Sequence, residues 1–116
     1  MEHYNYFVAL GITQLIHSQE EIWTNFHKRW FVFTMPRWVF ITFEILFTLP
    51  IIAYLLNPNL PYANGYMSVF ALLMFVNGIE HIIWALLEKK YVPGLATAPL
   101  FVIIFVLYYF SLVGGV

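Results

Sequence analysis

The chain contains no cysteine, which excludes a disulfide framework, a thiolate nucleophile, a zinc knuckle and an iron–sulfur cluster. Charge is nearly as scarce: only 9% of the 116 residues are Asp, Glu, Lys or Arg, against roughly 25% in soluble domains. So few charges cannot clothe a water-facing surface, and a water-soluble globule is excluded. Five basic residues and a net charge of −1 leave no basic stripe for nucleic acid. What is abundant is apolar: 62% of the residues are hydrophobic and 21% aromatic, which also excludes a disordered chain. The composition is that of an integral membrane protein, too short for a second domain.

A membrane span needs about 20 mostly apolar residues, and four segments qualify. The first covers about 6–25. Met1–Asn5 carries no positive n-region and no small-residue cleavage site follows, so this is not read as a signal peptide. The second covers about 36–56, with Thr34 as candidate N-cap, Pro36 in the first turn and Pro50 predicting a kink. Asn57-Pro58-Asn59-Leu60-Pro61 stops it. The third covers about 66–87 and is closed by Glu88-Lys89-Lys90, after which Tyr91-Val92-Pro93-Gly94 turns the chain. The fourth covers about 95–112 and fades into Gly114-Gly115. The expected fold is therefore all-α: one domain over 1–116, an integral-membrane up-down bundle of four transmembrane helices.

Basic residues mark cytoplasmic connections. Lys28, Arg29 and Arg37 flank the first connection, and Lys89 and Lys90 the third, whereas 57–65 carries no charge. Both termini are thus expected on the non-cytoplasmic side. Trp23, Trp30, Trp38 and Trp84 all fall near cytoplasmic ends, as an interfacial belt requires.

An ionisable side chain inside a span costs at least ~2.5–3.5 kcal/mol on insertion scales, so each is by default a functional hypothesis. Six occur here: His17, Glu20, Glu21, Glu44, Glu80 and His81. His17 lies eight residues before Asn25, Glu44 eight after Pro36 and Glu80 eight before Glu88, which puts each about 12 Å below its cytoplasmic end. Polar stripes run through them: Thr13, His17, Glu20 and Thr24 on the first helix, Arg37, Glu44 and Thr48 on the second, Asn77, His81, Trp84 and Glu88 on the third. In lipid such stripes must face one another or a wet cavity. The fourth segment offers only Thr97, Tyr108, Tyr109 and Ser111 and reads as a wall. His3 and His27 sit near segment ends and read as interfacial. Thr13, Gln14, Thr24 and Thr48 read first as interhelical glue.

His17-Ser18-Gln19-Glu20-Glu21 is an HXXEE motif. Together with Asn77, His81, Tyr91-Val-Pro-Gly94 and Thr97, in that order, it resembles the HXXEE family of small multi-pass membrane proteins, from the first helix to the start of the fourth. That family is named for its motif, so the resemblance implies site residues and no activity. Glu44 and Glu80 rest on their depth alone.

His17 with Glu20 or Glu21 is an i, i+3 or i, i+4 pair that can address one point, and Asn77 with His81 is another. Two His and four Glu suit zinc, iron or manganese. Di-iron bundles use Glu-x-x-His on two helices. Here the order is reversed, and one divalent ion held by His17, His81 and one or two Glu fits better. Candidate ligands are His17, Glu20, Glu21, Glu80 and His81; candidate acid–base or polarising groups are Glu20, Glu21, Glu44 and Asn77. The leading expectation is a metal-dependent hydrolase, isomerase or oxidase acting on a lipid-like or isoprenoid-like substrate from the bilayer. A small proton-coupled transporter working through Glu20 or Glu44 is the alternative, and a haem carrier with His17 and His81 as axial ligands a third. A wet-sided bundle of four is compatible with a homodimer.

Overall fold

The computed structural model describes residues 2–114; Gly115, expected to close the fourth segment, lies outside them. Among the described residues the fold is all-α, with five helices and no strand. Helix α1 spans Glu2–Trp23 and α2 the single turn Phe26–Arg29; α3 spans Arg37–Leu56, α4 Ala63–Glu88 and α5 Ala98–Gly114. Two of them, α3 and α4, are long and apolar enough to cross a membrane, and α5 is apolar but shorter.

The breaks have local causes. Thr24 turns its hydroxyl back to the Glu20 carbonyl at 2.6 Å, and Asn25 takes the left-handed conformation (φ 62°), which Asn tolerates better than most residues. α2 then runs off it, a turn that hydropathy did not reveal. The chain from Trp30 to Pro36 is not helical, tied down where the Met35 amide donates to the His27 carbonyl at 2.9 Å. Pro36 is extended (φ −61°, ψ 148°) and precedes α3, with no side-chain cap. The expected Thr34 cap with Pro36 inside the first turn is therefore incorrect. Pro50 is accommodated within a continuous α3. Lys89 ends α4 in the left-handed region, its amide donating to Ala85 at 2.7 Å.

Packing is uneven. α4 and α5 lie closest, because Gly78 lets the α5 start approach: a Cβ there would meet the Ala98 carbonyl oxygen at 2.8 Å. α1 packs on both and also on α3. α3 leans on α1 and reaches α4 mainly through aromatic pairs, Phe47–Phe70 and stacked Tyr54–Tyr66. One core cluster, around Phe7, Leu10, Ile51, Phe70 and Phe101, fills one end of the bundle. A second, of Phe26, Phe40, Trp84 and Val92, fills the other. Outward faces carry exposed Leu46, Leu72, Val76, Ile83, Ile103 and Phe110.

Two expectations about the periphery fail. Trp84 is fully buried because it lies on the α4 face of His81, and its indole N–H donates to Glu88 at 2.7 Å; Trp23 and Trp38 are exposed. His27 is buried against Phe40. Burial, then the nearby Arg37 and Lys28 charges, holds its pKa below the ordinary imidazole value.

Candidate functional site

Adjacent residues on a helix point about 100° apart, so Glu20 and Glu21 cannot address the same point, and α1 uses them separately. His17 and Glu21, at i and i+4, face α4; Glu20 faces the loop that enters α5. From α4 comes His81. The three side chains His17, Glu21 and His81 are buried and offer ligand atoms that all lie within 4.8 Å of one another. Glu21 Oε2 stands 3.4 Å from His17 Nε2 and 3.2 Å from His81 Nε2.

The surroundings fix which nitrogen of His17 faces this centre. Thr97 Oγ1 is 2.8 Å from Glu20 Oε1 and 2.6 Å from His17 Nδ1. A carboxylate only accepts, so the hydroxyl donates to Glu20 and its oxygen receives the Nδ1–H of His17. Nε2 is thereby turned to Glu21, with Asn77 Nδ2 beside it at 3.3 Å. His81 makes no hydrogen bond through either nitrogen. Two imidazole nitrogens and a carboxylate oxygen thus converge in a buried centre.

Glu20, expected among the ligands, is placed elsewhere. Its carboxylate accepts the amides of Ala96 and Thr97 at 2.9 and 3.1 Å, the Thr97 hydroxyl, and the Tyr91 hydroxyl. Tyr91 lies in the loop outside the helices, and burial, then the Glu20 carboxylate, pushes its phenol up to about 12. The loop presses on the histidines through Gly94 (φ +90°), where a Cβ would come within 2.5 Å of His81 Cε1 and 2.6 Å of His17 Cε1. Only glycine meets both the backbone and the space. Val92 and Pro93, fully buried, anchor it.

Glu80 sits at the edge of the centre, Oε2 3.6 Å from His81 Nε2, while Oε1 accepts the Trp30 indole N–H at 2.5 Å. Glu44 is buried against Ser18 and Glu21. Arg37 is exposed at the start of α3, away from this cluster. Glu21 from α1, Glu44 from α3 and Asn77 and Glu80 from α4 line a cavity of about 530 Å³; Phe26, Trp30, Phe40, Phe43 and Phe47 form much of the rest. The structure therefore brings His17, Glu21, His81, Asn77, Glu44 and Glu80 together and sets Glu20 behind Thr97.

Gly94, Ser18 and Trp30 were not singled out from sequence as site residues. A Pro-Gly pair between two apolar segments announces a turn, but not what the turn touches. The His17 and His81 rings meet edge-to-face with centroids 4.7 Å apart, leaving no room for a porphyrin between them.

Fold and site together define a helical bundle with a buried pair of histidines and a carboxylate beside an aromatic cavity. The chain belongs to the family described as "Protein of unknown function with HXXEE motif", whose model matches residues 8–109. No curated protein and no solved structure matches it.

Proposed function

We propose that this chain is a membrane-embedded, metal-dependent enzyme acting on a lipid-like substrate, with His17, Glu21 and His81 holding one divalent ion. The observation that carries the reading is the spacing of the three donors at a cavity wall. Two ligands bonded at about 2.0–2.1 Å in a tetrahedral site stand about 3.3 Å apart; the two separations from Glu21 are 3.2 and 3.4 Å, and all three donors lie within 4.8 Å of one another. With Glu20 engaged elsewhere and α5 supplying no ligand, the donor set favours one ion over a di-iron pair. Zinc, iron and manganese all accept these ligands. Two imidazoles and one carboxylate are a ligand set used by hydrolytic zinc, which favours hydrolysis as the reaction class.

A bound ion would supply Lewis acidity and a water of lowered pKa. The chain's own residues do the rest. Thr97 and Glu20 fix the His17 tautomer, as partners of metal-ligating histidines commonly do. Glu80, oriented by Trp30, and Glu44 face the cavity as proton acceptors or donors. The aromatic wall takes the apolar part of the substrate and excludes water.

The membrane setting follows the same reading: α1, α3, α4 and α5 cross the bilayer, both termini lie on the non-cytoplasmic side, and the cavity receives its substrate from the lipid. The apolar outward faces and the inward turn of the α1 polar stripe (Thr13, Gln14, His17, Ser18 and Glu21 are buried) support it.

The test is turnover in proteoliposomes made with a total lipid extract and followed by mass spectrometry. A zinc-dependent change in one lipid class, lost in Glu21→Gln and His81→Ala, is expected. An unchanged lipid pool with metal-loaded protein would contradict the enzyme reading. Glu44 on the cavity wall favours the second reading, a proton-coupled carrier, for which pH-driven flux in the same vesicles is the signature.

A further inference from the structure

The polar side of the cavity is one-sided in its chemistry. Glu21, Glu44 and Glu80 all border it, and no Lys or Arg pairs with any of them among the described residues: Lys90 pairs with Glu88, and Arg29 donates to the Tyr91 carbonyl at 3.0 Å. The Trp30 indole supplies one N–H to Glu80. Gln14, only 3% exposed, also lines the cavity, and its Oε1 has no hydrogen-bond partner. A buried acceptor without a donor costs about 1–3 kcal/mol, so a ligand that donates hydrogen bonds would be rewarded here. One divalent ion at the His17/Glu21/His81 centre would answer Glu21; Glu80 keeps the Trp30 N–H and Glu44 its Ser18 and Glu21 neighbours, which leaves Gln14 Oε1 without a donor.

The rest of the cavity is aromatic. Phe26 stacks on Phe40 at 5.2 Å between ring centroids, Phe43 on Phe47 at 5.8 Å, and Trp30 lies 5.3 Å from Phe26. Ring faces attract a desolvated cation by about 2 kcal/mol. Carboxylates without cationic partners, an unanswered amide oxygen and aromatic walls complement one head group above others. We infer that the cavity binds an amphiphile bearing an amine or ammonium group on an apolar chain. An anionic head would bring further acceptors to a cavity already lined with them, and a neutral hydroxyl would offer one donor where an ammonium offers three.

This names the substrate class for the enzyme proposed above and rests on the reading of the cavity as its binding site. The probes are decylamine, decanol and decanoate, which share chain length and differ in head group. Binding to protein in neutral detergent is followed by native mass spectrometry and thermal shift, with metal content measured on the same samples. Decylamine is expected to bind wild type at least roughly tenfold more tightly than decanol or decanoate. The isosteric double variant Glu44→Gln/Glu80→Gln should lose that preference while still binding decanol. Decanol or decanoate binding as tightly as decylamine to wild type would overturn the inference without any variant; so would amine selectivity unchanged in the double variant. Amine selectivity in protein that holds no metal would leave this inference standing and remove the metal-dependent reading, so the two failures are distinguishable.

Discussion

Glu20 and Glu21 are chain neighbours with different tasks, and the difference is testable one residue at a time. Glu21→Gln, His17→Ala and His81→Ala each remove a donor from the centre. Thr97→Val keeps all three donors and removes the hydroxyl that receives the His17 Nδ1–H and donates to Glu20. Its expected effect is a metal affinity lower by about 10–100-fold, measured by competition with a chelator, whereas loss of a ligand should abolish binding. Equal affinities for Thr97→Val and wild type would deny Thr97 its orienting role. Gly94→Ala forces a methyl to within 2.5–2.8 Å of both imidazoles at a positive φ. It should cost at least about 1–3 kcal/mol from the backbone alone and disturb metal binding further, read as a lower melting temperature and lower metal content.

At the level of elements, the loop between α4 and α5 carries the argument. The Glu20 carboxylate holds the start of α5 through the Ala96 and Thr97 amides, and charged acceptors on such donors contribute about 1.5–3 kcal/mol. Glu20→Gln should lower thermal stability and leave the three donors in place. Tyr91 adds a pH signature. Its phenol is pushed up to about 12, so the folded protein keeps a proton that the unfolded chain releases near the ordinary value of about 10. The contribution is complete below about pH 10 and is lost as pH rises through about 12; Tyr91→Phe should flatten that alkaline decline in the melting temperature. Such a loop was only half legible in the sequence. Pro93-Gly94 declared a turn, and Thr97 came with the motif set, but the turn's pressure on two rings from α1 and α4 depends on packing that local pattern does not encode. The same limit explains Glu20: the stripe through Thr13, His17 and Glu20 was visible, and so was Glu21 on its flank. Which of two acids 100° apart faces α4 is decided by where α5 begins. The N-cap of α3 was placed two residues early, at Thr34 instead of Pro36, because an extended proline and a first-turn proline share the same φ.

For the whole molecule, counting residues to the helix ends expected His17, Glu44 and Glu80 at one depth; the structure buries His17 and Glu44 and leaves Glu80 half-buried at the edge of the centre. The short helix α2 and the inward Trp84 were hidden, the first by its length and the second because a tryptophan near a charged turn equally suits an interface. The proposed topology has a direct test that the cysteine-free chain makes clean. Asn59→Cys and Lys89→Cys, both at exposed positions, should react with an impermeant maleimide from opposite faces of the membrane, Lys89→Cys from the cytoplasm. Labelling of both from one face would contradict the four-span arrangement. The central claim is that three buried donors hold one ion, and elemental analysis of the protein purified in mild detergent addresses it directly. The account predicts close to one equivalent of a divalent transition metal per chain, falling below a tenth of an equivalent in His17→Ala and His81→Ala. Less than a tenth of an equivalent in wild type after metal reconstitution, or one equivalent that survives both substitutions, would contradict it.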